Sequence, residues 1–335
     1  MGREAELAQV SICALGGTIA MEAASDRDGV VPTLTAESLV RGIPTLGSVA
    51  RISTATLSNL PGASLTPADV LRAVDWARAE VERGSAGAVI TQGTDTLEET
   101  SFLASLVWDR PAPLVFTGAM RSPAQLSADG PANIVASTRV AAADVTRGSG
   151  VTVVLNDEIH EARHVQKAHS TALQAFTSPT VGPLGRVVEQ QVRLHRPAAT
   201  TPTLPRPSGE AYVPLLETHL DDRGETLRAV RDAGADGVVI AAFGVGHVSA
   251  RLADEVEETV RSGVPVVVST RTHTGGTLRS TYGFDGSEID LARRGAVLSG
   301  SLDPRKSRIL LWTLVAGDVA ADEVVGRFES IADPA

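Results

Sequence analysis

The sequence predicts an α/β protein whose sheet is mainly parallel. Short apolar runs alternate along the chain with longer segments in which apolar residues recur at the helical period. Strands that are buried on both faces of a parallel sheet are continuous apolar runs, and strands that alternate with helices build such a sheet. The predicted strands are Ser11–Leu15, Ala88–Thr91, Leu114–Thr117, Val151–Leu155, Gly237–Ala242 and Val264–Thr270.

Two of the intervening segments predict helices with defined starts. Pro67–Arg83 places its apolar residues on one helical face and follows Thr66, a residue type that caps helix N-termini. Thr96–Glu99 has the residue spacing of a capping box. We therefore expect a second helix to begin directly behind Thr94 and Asp95.

A proline-rich segment divides the sequence into two predicted domains. Four prolines lie between Pro197 and Gly209. Because proline disfavours both helices and central strands, this segment is expected to be a stiff, extended connector. The prediction is a larger domain over residues 1–196, a linker over 197–211 and a smaller domain over 212–335.

Composition and charge exclude several classes of protein. The chain has 335 residues, of which 43% are hydrophobic and 21% charged, as in an ordinary globular protein. Its formal charge of −10, with no basic run longer than Arg293-Arg294, argues against a nucleic-acid partner. The single cysteine, Cys13, excludes an intrachain disulfide bond.

The N-terminal sequence MGREAELAQV lacks the features of a secretory signal. No uncharged apolar stretch approaches the roughly 20 residues that a membrane-spanning helix needs. We therefore expect a cytoplasmic location and no membrane partner.

Two glycine-threonine turns follow predicted strands and carry reactive side chains. Leu15–Ala20 reads LGGTIA, and Gln92–Thr96 reads QGTDT. Ligands bind where the strands of a parallel sheet end. The hydroxyl groups of Thr18 and Thr94 and the carboxylate of Asp95 are therefore predicted to share one catalytic pocket.

These turns and further ordered blocks resemble the bacterial-type L-asparaginase family over nearly the whole chain. Several blocks in the family's order are far more specific than a single Gly-Gly-Thr. The matching blocks are LGGTIA (15–20), ITQGTDTLEET (90–100), TGAMR (117–121), ADGPAN (128–133), LNDEI (155–159), RHVQK (163–167) and GPLG (182–185).

The residue types suit the hydrolysis of an amide. Such a reaction needs a nucleophile, a base that activates it, and donors for the developing oxyanion. Thr18 and Thr94 are candidate nucleophiles, and Lys167 is the candidate base, because a buried lysine can release its proton whereas an arginine effectively cannot. Of the 30 Lys and Arg residues, only Lys167 and Lys306 are lysines.

The resemblance implies a role for each of these residues. Thr18 matches the family's primary nucleophile, and Thr94, Lys167 and Asp95 match its second triad, in which the aspartate also binds the substrate's α-amino group. Two further positions match residues that line the pocket. They are Gly93 and Ala119.

The resemblance also implies a large N-terminal domain and a smaller Rossmann-like C-terminal domain. The implied reaction converts L-asparagine to L-aspartate and ammonia without metal or cofactor. Members of the family form homotetramers built from intimate dimers, with sites at the subunit interface, so we expect self-association as a homodimer or homotetramer.

Three positions depart from the family pattern. The loop Met21–Thr35 has no tyrosine to activate the first threonine, and the chain's only tyrosines are Tyr212 and Tyr282. A glutamate lent by a neighbouring subunit aligns with Tyr282, and its asparagine partner aligns with His247. The substrate loop, Ser-Gln in the family, aligns with the segment Gly62, Ala63 and Ser64. We predict that Tyr282 enters the pocket across an interface.

Other functions stay open at this point. They are a glutaminase-asparaginase, the asparaginase-like subunit of an archaeal tRNA-dependent amidotransferase, and a catalytically silent amino-acid-binding relative. His160–His164 also matches the HExxH pattern of zinc peptidases, whose histidines share one helix face. Because no third ligand has a recognisable spacing, we interpret this pentapeptide as a polar loop entering a helix.

Overall fold

The computed structural model describes residues 7–23, 30–199, 202–317 and 319–332. The chain divides into two compact units, Met1–Thr203 and Leu204–Ala335; the first has a mainly parallel sheet and the second a parallel sheet. The division lies within residues 197–211, the predicted linker. No helix in the described ranges is both long enough and apolar enough to cross a membrane.

Eight strands of the first unit form one main sheet. In chain order, the strands of this unit are β1 (Gln9–Gly16), β2 (Met21–Ala23), β3 (Val30–Pro32), β4 (Arg51–Leu60), β5 (Gly87–Thr91), β6 (Leu114–Thr117), β7 (Val151–Leu155), β8 (Glu158–Glu161), β9 (Gln166–Lys167), β10 (Phe176–Thr177), β11 (Gly185–Val188) and β12 (Gln191–Leu194). The main sheet has the order β12-β11-β8-β7-β6-β5-β1-β4. β2 pairs with β3, and β9 pairs with β10, in two small antiparallel ladders.

The five strands β7, β6, β5, β1 and β4 run parallel, whereas β8, β11 and β12 extend the sheet in antiparallel fashion. The predicted mainly parallel sheet is therefore confirmed. Because β4, β1, β5 and β6 are adjacent and parallel, their carboxyl ends meet at one edge of the sheet. Both glycine-threonine turns begin at this edge.

The helices of the first unit flank the main sheet. They are α1 (Ala36–Arg41), α2 (Pro67–Glu82), α3 (Leu97–Val107) and α4 (Gly130–Ala142). α2 begins as predicted, since the Thr66 side chain accepts from the Asp69 amide and the Asp69 carboxylate accepts from the Thr66 amide. α4 packs against β5, β6 and β7, and its Ile134 joins the buried core that contains Ile12 and Val89.

α3 begins where the sequence predicts but without the expected capping box. The Thr96 side chain makes no capping hydrogen bond to the helix. Its Oγ1 instead donates to the carbonyl oxygen of Gly62 at 2.9 Å. The capping-box prediction was wrong because this hydroxyl fastens a neighbouring turn.

The second unit is a smaller α/β domain, which confirms the predicted fold class. Its strands, all parallel and adjacent in chain order, are β13 (Leu215–Glu217), β14 (Val238–Ala242), β15 (Val266–Thr270) and β16 (Val297–Leu298). Its helices are α5 (Glu225–Asp232), α6 (Ala250–Arg261), α7 (Glu288–Arg293), α8 (Pro304–Val315) and α9 (Ala321–Ala332). In α8, Lys306 is fully buried and its Nζ lies 2.9 Å from the Asp303 carboxylate at the helix N-cap.

Candidate active site

The two glycine-threonine turns touch through their backbones. A methyl group on Gly17 would lie 2.0 Å from the amide nitrogen of Gly93, and one on Gly93 would lie 2.6 Å from that of Gly62. Gly17 also has a φ of 82°, which disfavours residues with a Cβ. Glycine at these positions lets the ends of β1, β5 and β4 meet, and it brings the turns that carry Thr18 and Thr94 to the same edge of the sheet.

Lys167 lies between a hydroxyl and a carboxylate from the second turn. Its Nζ donates to Thr94 Oγ1 at 2.9 Å and to Asp95 Oδ1 at 2.9 Å. The Thr94 residue is buried, and the Lys167 side chain is 16% exposed, but the Asp95 side chain is 63% exposed. The amine is therefore enclosed with the threonine, and the carboxylate remains open to a ligand.

Two supports hold the backbone of Lys167. β9, which contains Lys167, pairs with β10, and the Lys167 amide donates to Glu98 Oε2 at 2.9 Å. Glu98 lies in α3, one helical turn after Thr94, and is buried. Sequence reasoning missed this role, although the spacing of Thr94 and Glu98 was visible in the motif.

A buried amide side chain braces the second turn from inside. Gln92 Nε2 donates to the Gly93 carbonyl at 3.1 Å, and Gln92 Oε1 accepts from Thr100 Oγ1 at 2.9 Å. Both residues are buried. They belong to the matched block 90–100, but nothing in the sequence alone distinguished them from core residues.

The end of β6 lies beside Thr94. A methyl group on Gly118 would lie 3.1 Å from Thr94 Cγ2, and the next residue, Ala119, is buried. Asn133 of α4 donates to the Gly118 carbonyl at 3.0 Å, while Asp129 accepts from the two backbone amides after Ala119. The block 128–133 thus holds the loop that follows β6.

Thr18 is half-buried and begins a short 3-10 turn, Thr18–Ala20, directly after Gly17. No hydrogen bond joins its hydroxyl to another described residue. Part of the predicted loop Met21–Thr35, residues 24–29, lies outside the described residues. The predicted substrate segment forms another 3-10 turn, in which Gly62 is buried and Ala63 and Ser64 are exposed.

The HExxH pattern does not lie on a helix. His160 and Glu161 are consecutive residues of β8, so their side chains point to opposite faces, and a turn follows. The expected polar loop entering a helix was therefore wrong, since these residues form a buried strand. In the part of the chain that the structure describes, no cluster of three or more His, Cys, Asp or Glu side chains could hold a metal ion.

The chain's one cysteine is not an activated nucleophile. Cys13 is fully buried within β1. Burial raises the pKa of its thiol to about 12, which keeps it protonated at neutral pH. The candidate reactive groups at this edge of the sheet are the two threonines, the lysine and the aspartate.

Tyr282 belongs to the second unit, where it stacks edge-on against His247 with ring centroids 4.9 Å apart. The buried carboxylate of Glu288 accepts from the Tyr282 amide at 2.6 Å and lies 3.1 Å from His247 Nε2. The Tyr282 ring and its neighbour Phe284 are exposed. The two residues that depart from the family pattern, Tyr282 and His247, are thus in contact with each other and share the Glu288 carboxylate as a partner.

Hydroxyl and carboxylate groups at the carboxyl ends of parallel strands, together with the amine that contacts them, define an α/β enzyme with the parts of a hydrolase site. The family model for the asparaginase N-terminal domain matches residues 9–200, and that for the glutaminase/asparaginase C-terminal domain matches residues 212–328. The chain therefore belongs to the asparaginase family of amidohydrolases.

Individual relatives match along most of their length. The chain is 33% identical to the probable periplasmic L-asparaginase of Haemophilus influenzae, covering 92% of this chain and 88% of the relative. It is 30% identical to the glutaminase-asparaginase of Pseudomonas fluorescens, covering 91% and 85%. A crystal structure of the probable cytoplasmic L-asparaginase from Campylobacter jejuni superposes with a TM-score of 0.85 at 28% identity, covering 96% of this chain and 99% of that one.

Proposed function

We propose that this protein hydrolyses L-asparagine to L-aspartate and ammonia, with Thr18 as nucleophile and with Thr94, Lys167 and Asp95 as an assisting triad. The observation that carries the proposal is the position of Lys167 Nζ, 2.9 Å from both Thr94 Oγ1 and Asp95 Oδ1. A base must lie within about 2.6–3.2 Å of the atom whose proton it takes, or act through one intervening water. The contact of Gly17 with Gly93 supports a shared site for both threonines.

In this proposal, Thr18 Oγ1 attacks the side-chain amide carbon while its proton passes through the Thr94 hydroxyl to the Lys167 amine. The tetrahedral intermediate then collapses, its C–N bond breaks, and the returned proton leaves with ammonia. Water attacks the resulting threonine ester, which releases L-aspartate and restores the Thr18 hydroxyl. Dividing one difficult step into two easier ones is the advantage of covalent catalysis.

Asp95 is proposed to bind the substrate's α-ammonium group. Its carboxylate is exposed on one side while it holds Lys167 on the other. A bound ammonium group would share this carboxylate with the lysine, so the substrate and the proposed base would be held side by side. Gly62, Ala63, Ser64, Gly93 and Ala119 are proposed to line the rest of the pocket.

The test is the release of ammonia by the purified protein from L-asparagine, L-glutamine and D-asparagine, with and without EDTA. The proposal expects L-asparagine to be the best substrate and EDTA to have no effect. Comparable kcat/KM for L-glutamine would favour a glutaminase-asparaginase, a function that the Pseudomonas fluorescens relative supports by its name. Calorimetric binding of L-asparagine without turnover would instead identify a silent binding protein, the alternative kept open by the missing loop tyrosine.

We further propose that the cluster of His247, Tyr282 and Phe284 meets a second copy of this chain. Tyr282 is 44% exposed and Phe284 is 50% exposed, and the buried Glu288 fixes the backbone that presents them. Aromatic side chains are enriched at the buried centres of protein interfaces. Tyr282 would then reach the pocket of its neighbour, and sedimentation or light scattering should detect a dimer or tetramer that Tyr282→Asp weakens.

A cytoplasmic location is also proposed. The name of the Campylobacter jejuni relative supports it, whereas that of the Haemophilus influenzae relative points to the periplasm. Cell fractionation of the source organism decides between the two.

A further inference from the structure

A buried histidine and a buried serine meet beside the strand that carries Lys167. His160 is 1% exposed in β8, and its Nδ1 lies 2.9 Å from Ser178 Oγ. Burial lowers the pKa of His160 to about 4, with a further contribution from the charge of Arg186, so the ring is neutral near pH 7. Its Nε2 faces the Glu158 carboxylate at 3.4 Å. We assign the ring proton to Nε2, on the side of that carboxylate, which leaves Nδ1 to accept the hydrogen bond from the Ser178 hydroxyl.

Ser178 directly follows β10, the partner of the lysine strand. In this ladder Phe176 is paired with Lys167, and Thr177 with Gln166. Two more bonds extend the ladder, from the amides of Ala168 and His169 to the Ala175 carbonyl at 2.7 and 3.3 Å. The hydrogen bond to His160 therefore holds the end of β10, the strand that pairs with β9 and Lys167.

A ladder this short cannot hold its own position. Each of its strands has two residues, and an isolated two-stranded pair is marginal even when it is longer. Glu98 fixes the Lys167 amide from the side of α3. Packing of the buried Ala175 and Phe176 holds β10 from one side, and the contact of Ser178 with His160 ties its end to β8, which is part of the main sheet.

We propose that His160 is a positioning residue for Lys167, acting through the hydroxyl of Ser178 and the β10–β9 ladder. This inference rests on the proposed function, in which Lys167 Nζ must stay within hydrogen-bond distance of Thr94 Oγ1. Misplacement of a catalytic group by about 1 Å can lower a rate by about 100-fold. Loss of the His160 contact should therefore lower kcat by roughly 10- to 100-fold and leave KM nearly unchanged.

The experiment compares His160→Leu, Ser178→Ala and the double variant, with kcat and KM for ammonia release from L-asparagine normalised to folded protein. Because the two residues act through one hydrogen bond, the double variant should be no slower than the slower single variant. His160→Asn should recover most of the lost kcat, since the asparagine Oδ1 can take the place of Nδ1 as acceptor. If His160→Leu does not fold, the kcat of Ser178→Ala, which removes only one hydroxyl, tests the inference by itself.

The matched control is Thr146→Val, which removes another buried hydroxyl of the same unit. Thr146 Oγ1 donates to the carbonyls of Val140 and Ala143, away from the ladder. The control should lower the melting temperature and leave kcat unchanged. If Ser178→Ala and His160→Leu behave like the control, His160 has only a structural role and the inference is wrong.

Lys167→Met separates this inference from the proposed function. If Lys167→Met is inactive while His160→Leu and Ser178→Ala keep the wild-type kcat, the inference fails and the proposed function stands. If Lys167→Met is as active as the wild type, the proposed function itself fails.

Discussion

Replacing Lys167 by arginine tests the central step of the proposed mechanism. The substitution keeps a cation beside Asp95, so it preserves the ion pair that is seen at 2.9 Å. It removes the amine that lies within hydrogen-bond distance of Thr94 and can accept a proton from it, because a guanidinium group effectively never loses its own. If Lys167 serves as a base, Lys167→Arg should be nearly as inactive as Lys167→Met.

The size of the loss follows from what a base contributes. General base catalysis usually supplies about 10²- to 10⁴-fold in rate, which corresponds to about 3–5 kcal/mol of activation free energy. Because Lys167 Nζ lies 2.9 Å from the Thr94 hydroxyl, within the distance that proton transfer requires, we expect Lys167→Arg to lower kcat by a factor in this range. The assay is kcat for ammonia release at saturating L-asparagine, with circular dichroism to verify the fold.

The chain's other lysine provides the matched control. Lys306 Nζ also lies 2.9 Å from an aspartate carboxylate, that of Asp303, but it is fully buried in the second unit. Lys306→Arg should lower the free energy of unfolding, because the larger head group must fit a closed space, and should leave kcat unchanged. A Lys167→Arg variant within about tenfold of the wild-type kcat would refute the reasoning and reduce the role of Lys167 to electrostatics.

Further predictions concern the other residues of the site and its surroundings. Thr18→Ala and Thr94→Val should each lower kcat by about 10³-fold or more in the ammonia assay with the fold intact. If either variant keeps more than about a tenth of the wild-type kcat, the threonine it replaces has no catalytic role. Asp95→Asn should act mainly on KM, raising it about 10- to 100-fold through loss of a charge-assisted bond to the substrate's ammonium; an unchanged KM would exclude this contact. Tyr282→Phe should change kcat or KM roughly 3- to 10-fold if its hydroxyl serves a neighbour's pocket, and unchanged kinetics would end that proposal. Burial lowers the pKa of His160 in the folded protein to about 4, from its ordinary 6.5. On acidification the unfolded chain therefore binds this proton first, and the free energy of unfolding falls by about 3 kcal/mol as the pH drops from 6.5 to 4. Urea unfolding of His160→Leu should show a flatter pH dependence across this window.

Much of the fold follows from local patterns because the central strands are buried on both faces. β6 and β7 have the predicted limits, β5, β14 and β15 differ from the prediction by one or two residues at one end, and β1 is longer than predicted at both ends. β4 escaped prediction because its ten residues, RISTATLSNL, are rich in Ser and Thr and form no apolar run. It is an edge strand, and half-exposed strands lack the continuous hydrophobicity of central ones. The domain limits 1–196 and 212–335 stay a prediction.

The site was less accessible to local reasoning than the fold. Thr94 and Asp95 could be assigned from their position at a strand end, but Lys167 lies 73 residues beyond Thr94 and was connected to it only through the family resemblance. Its support by Glu98 was not anticipated. A contact between segments that are distant in the sequence leaves no periodic pattern. A catalytic arrangement that depends on such contacts can therefore be identified only from a family resemblance or from a structure.

β8 shows the same limit most sharply. All four residues of this strand, Glu158, Ile159, His160 and Glu161, are buried, yet three of them are ionisable and none of these suggests a core strand. Each has a partner elsewhere in the chain: Glu158 pairs with Arg186, Glu161 with Arg196, and His160 with Ser178. These partners lie 18 to 35 residues away, and by pairing with the buried polar groups they reduce the penalty of burying them, which no local window of the sequence reveals. The buried position of His160 depends on a specific partner, Ser178, which directly follows the strand that pairs with the strand of Lys167. Removing the Ser178 hydroxyl is therefore expected to shift Lys167, whereas a conservative substitution in an apolar strand breaks no such contact.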